Sequence, residues 1–205
     1  RMLIPEGLCA AVYTQTSDVE IEVNGLMTYD RAVTKMDIDR AAEAARKLYL
    51  PPPVVKTLVP TSEREPQKWR FVLEQPSGEW FAPGFDDSGW KEGVGGFGRE
   101  ETPGGVIPTV WKTSDIWLRR SFELGEIPSE GQLCMNIHHD EDAEVYINGV
   151  LVASTKGFLT SYTLMPLSVE KIREILRPGK NVIAVHCHQT TGGQYIDVGL
   201  SLIIE

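Results

Sequence analysis

Alternating apolar and other residues mark much of the chain after about residue 67. Leu133, Met135 and Ile137, for example, occupy every second position of one segment. A period of two places such side chains on one face of a pleated strand. Further strand-like segments, separated by turn residues, lie at 68–75, 115–124, 143–148, 158–164, 181–188 and 195–204. Many short strands with few helices predict a mainly β domain over 67–205, an antiparallel β-sandwich of the jelly-roll type.

The first 50 residues have a different pattern. The apolar run LCAAVYTQ (8–15) predicts a short buried strand, and after a polar loop alanines and Leu48 recur at helical spacing. Asp37 or Asp39 is suited to cap this helix, and the prolines from Pro51 onward end it. Residues 1–50 are therefore predicted to form one βα unit, which cannot bury its own apolar faces.

Two further segments complete the predicted organisation. Residues 51–66 are rich in proline and charge and show no periodicity, so they are predicted to be a linker. Within the sandwich, Val169, Ile172 and Leu176 recur at helical spacing. This pattern predicts one short helix, capped by Ser168 and ended by the following proline-glycine pair.

Composition narrows the classes of partner. The chain has 205 residues, of which 41% are hydrophobic and 24% charged, as in ordinary globular proteins. No run of about 18 apolar residues is present, so a membrane span is not predicted. The net charge of -9 repels phosphate backbones and anionic lipid surfaces, which argues against nucleic acid and membrane partners. Its 3 cysteines include no CxxC spacing and do not suggest a disulfide framework.

The most conspicuous polar cluster is HHDED, at 138–142. A metal centre here would need these side chains to converge, together with His186 and His188, which share one face of a later strand. Alternation alone places two histidines on one face without creating a ligand geometry. We therefore favour a charged turn joining two strands, the second of which ends in the Asn148-Gly149 hairpin signal. A metal protein or independent hydrolase built on this cluster is the least favoured interpretation.

No cofactor or metal is predicted elsewhere. A structural calcium ion held by Asp140 or Asp142 is not supported by any EF-hand-like spacing. The segment GVGGFG (93–98) matches the pattern GxGxxG, but no strand signal precedes it and no helix signal follows it. It is interpreted as a glycine-rich surface loop.

Some residues have the chemistry of a carbohydrate site. Aromatic residues are frequent between 69 and 117, and most are expected to anchor the core. Trp111, between two loop-like segments, is the best candidate for an exposed ring that stacks on a sugar. In the loop QTTGGQ (189–194), Gln189, Thr191 and Gln194 offer hydrogen bonds to sugar hydroxyls, although a plain connecting loop is the favoured interpretation.

The sequence gives no support for catalysis by this chain. Glycoside hydrolysis needs two carboxyl groups about 5–10 Å apart on a rigid scaffold, and no such pair stands out. No GxSxG motif for a nucleophilic serine occurs. No catalytic residue is therefore assigned.

Several segments resemble those of one enzyme family. Residues 7–33 resemble the last strand and following loop of the (β/α)8 catalytic barrel in family 2 glycoside hydrolases, the β-galactosidase and β-glucuronidase group. FDDSGWKE (85–92), DIWLRRSFEL (115–124), DAEVYINGV (142–150) and GKNVIAVHCHQ (179–189) resemble the galactose-binding-like jelly-roll modules of the same enzymes. In the family, the two catalytic glutamates lie on the fourth and seventh barrel strands, and this sequence contains neither segment. The jelly roll here also follows the barrel-like segment, whereas the familiar sugar-binding module precedes the barrel.

The resemblance implies a C-terminal piece of such an enzyme, periplasmic or secreted, in which the last βα unit is joined to an accessory sandwich. Its expected partners are an oligosaccharide or polysaccharide and the catalytic barrel of the parent chain. Because barrel active sites lie among the βα loops, Gln15, Thr16, Asp18 and Glu20 are expected to line or brace the active-site rim of that barrel. The alternative is a purely structural sandwich that packs against the barrel and binds no sugar.

Overall fold

The computed structural model describes residues 8–10, 12–100 and 102–204, apart from the side chain of Val169. Contacts group the chain into two compact units. Residues up to Val54 belong to the first unit, and Val55–Ile204 form the second. No helix among the described residues is long and apolar enough to cross a membrane.

The second unit is a sandwich of two β-sheets. Its strands, within the described residues, are β1 (Val54–Val59), β2 (Lys68–Val72), β3 (Lys91–Val94), β4 (Phe97–Gly98), β5 (Thr109–Val110), β6 (Asp115–Leu124), β7 (Gln132–Asp140), β8 (Asp142–Ile147), β9 (Val150–Thr155), β10 (Thr163–Pro166), β11 (Gly179–His188) and β12 (Tyr195–Ile204). Among the described residues, the second unit also contains one helix, α2 (Val169–Ile175). The other helix, α1 (Ile38–Lys47), lies in the first unit.

The strand order confirms the predicted mainly β sandwich. The first sheet runs β10-β7-β12-β4-β5, with β1 also paired to β12, and the second runs β3-β2-β6-β11-β8-β9. The strand pairs with a described register are antiparallel except β4 with β5. Two strands, β6 and β12, have the bounds that their alternation predicted.

The core lies between the facing sides of the two sheets. Leu133, Met135 and Ile137 of β7 are at most 1% exposed, as their alternation predicted. They belong to one apolar cluster with inward residues of the second sheet, such as Leu118 and Val185. Burial of this kind is the main favourable term in folding, at roughly 25 cal/mol per Å² of apolar surface.

Local structure differs from the expectation at three segments. Residues 51–66, predicted as an irregular linker, contain strand β1. The last residue of β1, Val59, is 1% exposed. The segment 93–98, predicted as a surface loop, instead runs from β3 into β4, and Gly95–Gly98 are buried. The predicted strand at 158–164 is shorter and later, because β10 begins at Thr163.

The first unit contains the predicted helix but not the predicted strand. Asp37 caps α1 by accepting a 3.0 Å hydrogen bond from the backbone N–H of Arg40. Residues 8–10 and 12–15 form no strand, and the pairing that follows consists of single bridges such as Ser17 with Met27. None of the residues of α1 is buried. The division into residues 1–50, 51–66 and 67–205 stays a prediction.

The short helix α2 lies where the sequence predicted it. Ser168 occupies its N-cap position, although its side chain makes no capping hydrogen bond. Ile172 and Leu176 are 1% and 2% exposed and join the core.

Candidate functional site

Trp111 is not available to stack on a sugar. Its side chain is 1% exposed and belongs to the apolar core. The indole N–H donates to the hydroxyl of Thr113 at 2.9 Å and to the carbonyl of Asp115 at 3.1 Å. The predicted exposure of Trp111 was therefore wrong, because its neighbourhood forms β5 and a tight connection to β6 instead of an open loop.

The loop 189–194 is only partly accessible. Gln194 is 1% exposed, and its side-chain amide donates to the carbonyl of Thr113 at 2.7 Å, so it does not face solvent as predicted. Gln189 is half-buried, and its side-chain oxygen lies buried without a hydrogen-bond partner. Thr191 is exposed. Of the predicted sugar ligands, Thr191 alone has a freely accessible side chain.

The predicted rim residues brace a loop of the first unit. The side-chain amide of Gln15 donates to Glu22 and to Asn24, both at 2.9 Å. Asp18 accepts a 2.6 Å hydrogen bond from the Lys35 ammonium, which holds the pKa of that carboxyl below its usual value.

The other two rim residues are exposed. The carbonyl of Thr16 accepts from the backbone N–H of Met27 at 3.1 Å, and Glu20 lies at a turn with φ 51°. Their place at the active-site rim of a larger barrel stays a prediction, as does that of Gln15 and Asp18.

The HHDED cluster does not converge on a metal. His138 and His139 are buried, and they donate to the carbonyls of Leu159 and Glu141 respectively. Both belong to β7 in the first sheet, whereas His186 and His188 belong to β11 in the second. Within 8–10, 12–100 and 102–204, no group of at least three His, Cys, Asp or Glu side chains is arranged to hold a metal ion.

His186 and His188 instead meet on one carboxylate. Nε2 of His186 and Nδ1 of His188 both lie 2.8 Å from Oδ1 of Asp115, at the start of β6. The register of β6 with β11 places His188 directly opposite Asp115, on the outer face of the second sheet. The side chain of His186 is 24% exposed, that of His188 is 44% exposed and that of Asp115 is 29% exposed. A ligand in solvent therefore reaches all of them.

Strand β8 adds two more carboxylates to the same face. Glu144 lies opposite His186, and Asp142 lies opposite His188. Tyr146 donates a 2.8 Å hydrogen bond to Glu144, and Lys156 pairs with Asp142 at 2.6 Å. We call this surface the polar platform, and it consists of Asp115, Asp142, Glu144, His186 and His188.

Hydrogen bonding lowers the pKa of two platform carboxyls, those of Asp115 and Asp142. Partial burial of Asp115 raises its pKa, but hydrogen bonds from His188 and His186 outweigh that effect, and the pKa lies below its usual value. The hydrogen bond from Lys156 lowers the pKa of Asp142 in the same way. Ionised carboxylates on the two strands that flank β11 present several fixed acceptors to hydroxyl groups.

Aromatic rings pack beside the polar platform. Trp117 is 8% exposed and stacks on His186, with ring centroids 4.8 Å apart. The loop 73–90 packs on the same face, where Phe81 stacks on Tyr146 at 4.7 Å and Trp80 belongs to one apolar cluster with Trp117. These contacts limit the rotamers of His186 and of Tyr146, which holds Glu144.

A cavity lies on the other side of this loop. Its volume is about 330 Å³, and it opens near the start of β2. Four of its lining residues are cationic and two are acidic, and the full lining is Lys68, Trp69, Arg70, Asp87, Glu92, Arg119, Arg120 and Ser121.

The sequence signal for the platform was incomplete. The His-x-His alternation of β11 was recognised, but its carboxylate partner lies more than 70 residues earlier in the chain. Only the pairing of β11 between β6 and β8 brings Asp115 and Glu144 to these histidines. Strand register is a tertiary property that alternation in one strand does not specify.

Comparison with known proteins shows the fold. No family model matches the sequence, and no curated protein matches it. A crystal structure of Bacteroides uniformis β-glucuronidase is similar to this chain, with a TM-score of 0.50 and 20% identity over 73% of the chain. The same values apply to Bacteroides uniformis β-glucuronidase 2 covalently bound to cyclophellitol-6-carboxylate aziridine. A glycosyl hydrolase family 2 member from Bacteroides cellulosilyticus has a TM-score of 0.48 and 18% identity over 71% of the chain.

The similarity covers a small part of those proteins. The chain spans 18–20% of the length of these matched structures. At this level of identity the likeness concerns the fold alone. The β-sandwich that the resemblance to family 2 glycoside hydrolases implied is thereby confirmed: this chain has the fold of a part of the B. uniformis β-glucuronidase structures.

Proposed function

We propose that this chain is a non-catalytic accessory module of a family 2 glycoside hydrolase, and that its polar platform binds carbohydrate. The fold, shared with about a fifth of the β-glucuronidase structures, supports the first part. The second part rests on one observation, the convergence of His186 and His188 on Asp115 at an open face of the sandwich. The periplasmic or secreted location that the resemblance implies belongs to the same proposal.

The chemistry of the platform suits neutral sugars. Sugar hydroxyls donate to carboxylate oxygens and to the unprotonated nitrogen of a neutral imidazole. The platform offers both kinds of acceptor within two adjacent strand pairs, because His186 and His188 use their N–H groups on Asp115. Its carboxylates outnumber its one paired lysine, so an anionic sugar would be repelled. We expect neutral oligosaccharide or polysaccharide ligands with affinities between millimolar and micromolar, about 4–8 kcal/mol.

The loop 189–194 lies beside the platform. The backbone N–H of Gln189 donates to the carbonyl of Ser114, next to Asp115, at 2.7 Å. Thr190 donates from its backbone N–H to Glu141 at 2.8 Å. Thr191 follows in this anchored loop, and we propose that it contributes a hydroxyl at the edge of the platform.

Calorimetric titration with neutral galactosides, glucosides and mannosides tests the proposal. We expect measurable heat with at least one of them, and at least a tenfold loss of affinity in Asp115→Asn and His188→Ala. Glu123→Gln is the matched control, because Glu123 is an exposed carboxylate further along the same face of β6. Absence of heat with all neutral glycans, or equal losses in the control, would refute sugar binding at the platform.

The first unit favours a second candidate function, a structural one. It exposes large apolar side chains, including Val12 at 83%, Ile21 at 93% and Tyr49 at 91%. Exposed apolar surface of this kind is typical of a surface that packs against another protein or domain. In this alternative the chain packs against the catalytic barrel of a parent enzyme and binds no sugar. Co-expression with the catalytic barrel of a family 2 glycoside hydrolase should then increase its solubility, and an unchanged yield would argue against this function.

A further inference from the structure

We propose that the polar platform continues into a second subsite at Phe81, and that its ligand is therefore a linear oligosaccharide and not a single sugar. We call this part the Phe81 subsite, and it consists of Phe81 and Tyr146, next to Glu144 of the platform. The inference rests on the proposed binding of carbohydrate at the platform, and it adds the class of ligand.

Tyr146 borders the platform on its own face of the sheet. Along β8, Asp142 and Glu144 alternate with the buried residues Ala143 and Val145, and Tyr146 is the next residue on the outward face. The hydroxyl of Tyr146 donates to Glu144 at 2.8 Å. The side chain of Tyr146 therefore leans towards the platform.

The ring of Phe81 covers Tyr146. The two rings are stacked, with centroids 4.7 Å apart and an angle of 7° between their planes. Trp80 packs edge-on against both rings, with its centroid 5.7 Å from that of Phe81 and 5.5 Å from that of Tyr146. Trp80 is 8% exposed, whereas Phe81 is half-buried. Part of the Phe81 ring thus stays accessible, while two aromatic neighbours fix its orientation.

The loop that carries Phe81 is itself anchored. The carboxylate of Asp87, in the same loop, accepts a 2.9 Å hydrogen bond from Nε of Arg119. Pro83 lies close to the hairpin between β8 and β9, because a Cβ added at Gly149 would be 3.5 Å from it. A ring held in this way loses little conformational freedom when a ligand binds.

One sugar cannot contact both Asp115 and Phe81. The register places Asp115, His188 and Asp142 side by side on β6, β11 and β8, and Tyr146 lies further along β8 than Asp142. Strand spacing and the rise per residue put the backbone positions of Asp115 and Tyr146 roughly 16 Å apart. Even with Tyr146 leaning towards the platform, a ligand that contacts both ends is longer than one pyranose ring.

The two ends of the site offer complementary contacts. The end at Asp115 and His188 offers hydrogen-bond acceptors to sugar hydroxyls. The Phe81 ring offers an apolar surface to the C–H groups on the face of a sugar. Glu144 and His186, which are paired in register, lie between the two ends. A neutral linear oligosaccharide presents both hydroxyls and C–H faces along its length, so it matches the whole site.

Calorimetric titration with glycans of increasing length tests the subsite. The probes are glucose, galactose and mannose, each with its β-1,4-linked disaccharide and trisaccharide. In the series that binds, we expect the trisaccharide to bind at least tenfold more tightly than the monosaccharide. Phe81→Ala should weaken trisaccharide binding about tenfold and leave monosaccharide binding unchanged. Asp115→Asn should weaken the binding of both.

Two further variants separate stacking from effects on the fold. Phe81→Leu keeps an apolar side chain against Tyr146 and Trp80, so it should keep the thermal unfolding midpoint near that of the parent chain. It should still lose most of the gain with the trisaccharide, because it lacks a flat ring. Phe158→Ala removes a ring that is 65% exposed beside Asp140 of the first sheet, and it should leave every affinity unchanged.

The outcomes distinguish this subsite from the platform as a whole. Binding that does not increase with chain length would overturn the Phe81 subsite and leave binding at the platform intact. Equal losses for the monosaccharide and the trisaccharide in Phe81→Ala would do the same, because the ring would then act only by supporting the platform. Absence of binding with every glycan would refute the proposed function itself, and the subsite with it.

Discussion

Asp87 accepts a 2.9 Å hydrogen bond from Nε of Arg119, and this ion pair fixes the loop 73–90 to the outer face of the second sheet. Arg119 also donates to the carbonyl of Trp80, and its guanidinium lies 5.3 Å from the centroid of the Phe85 ring. One buried cation therefore contacts the loop at three places. The FDDSGW motif (85–90) supplies two of these contacts, because it contains both Asp87 and Phe85.

We expect Asp87→Ala to lower the free energy of unfolding by about 2–4 kcal/mol. The substitution leaves the guanidinium of Arg119 buried without its carboxylate, and an uncompensated buried charge is costly. Urea unfolding measures the effect. Asp86→Ala is the matched control, because Asp86 is exposed and should cost less than about 1 kcal/mol. Equal losses in the two variants would contradict a special role for the Asp87–Arg119 pair.

We expect the stability of the sandwich to fall as the pH rises through the titration of Asp197. This carboxyl is 2% exposed, and its burial raises its pKa from 3.8 to about 6, against the lowering effects of hydrogen bonds from Tyr162, Ser62 and Val198 and of the Arg120 charge. Between these values the native state holds a proton that the unfolded chain has lost. Its contribution to stability is therefore greatest below about pH 4 and declines until about pH 6.

The variant Asp197→Asn isolates this effect. It cannot titrate, so the difference in unfolding free energy between the parent and the variant should change by about 2–3 kcal/mol across that interval. Chemical unfolding at closely spaced pH values provides the measurement. A parallel pH dependence of the two proteins would show that Asp197 titrates normally.

We expect Trp111→Ala to destabilise the fold by about 3–5 kcal/mol, because it removes a large core side chain and leaves a cavity. The indole is 1% exposed and also loses its two hydrogen bonds. Phe158→Ala is the control, since Phe158 is 65% exposed and should change stability by less than about 0.5 kcal/mol. A small effect at Trp111 would restore the interpretation of an exposed ring.

We expect Gly96→Ala to destabilise the sandwich by more than about 2 kcal/mol. Gly96 has φ +86°, and an added Cβ would lie 2.3 Å from the backbone carbonyl oxygen of Val106. Gly84→Ala is the control, because no atom lies within 4 Å of the position of its Cβ. Thermal unfolding of both variants gives the comparison, and equal melting temperatures would contradict a close approach at Gly96.

The sequence predicted those parts of the fold that depend on local pattern. Alternation sufficed for β6 and β12, where each strand has one face towards the core. It failed for β1, whose residues VVKTLV do not alternate and are mostly exposed. Such a strand is specified by its pairing with β12, which no local pattern reveals.

The candidate sites were harder to predict than the fold. Trp111 lies in a segment rich in turn residues, and only its hydrogen bonds to Thr113 and Asp115 show that the ring turns inward. The polar platform depends on which strands are neighbours. Asp115 and Glu144 are unremarkable in the sequence, and they join His186 and His188 only through the pairing of β11 with β6 and β8.

The loop 73–90 has a consequence beyond its own stability. Because it crosses the outer face between Asp115 and Ser121, it divides one continuous sheet surface into an acidic end and a basic end. Ionic strength should then act differently on each: added salt screens the attraction of an anion at the basic end and leaves uncharged ligands at the acidic end almost unaffected. One sheet thus presents two chemically different surfaces, and the salt dependence of ligand binding distinguishes them.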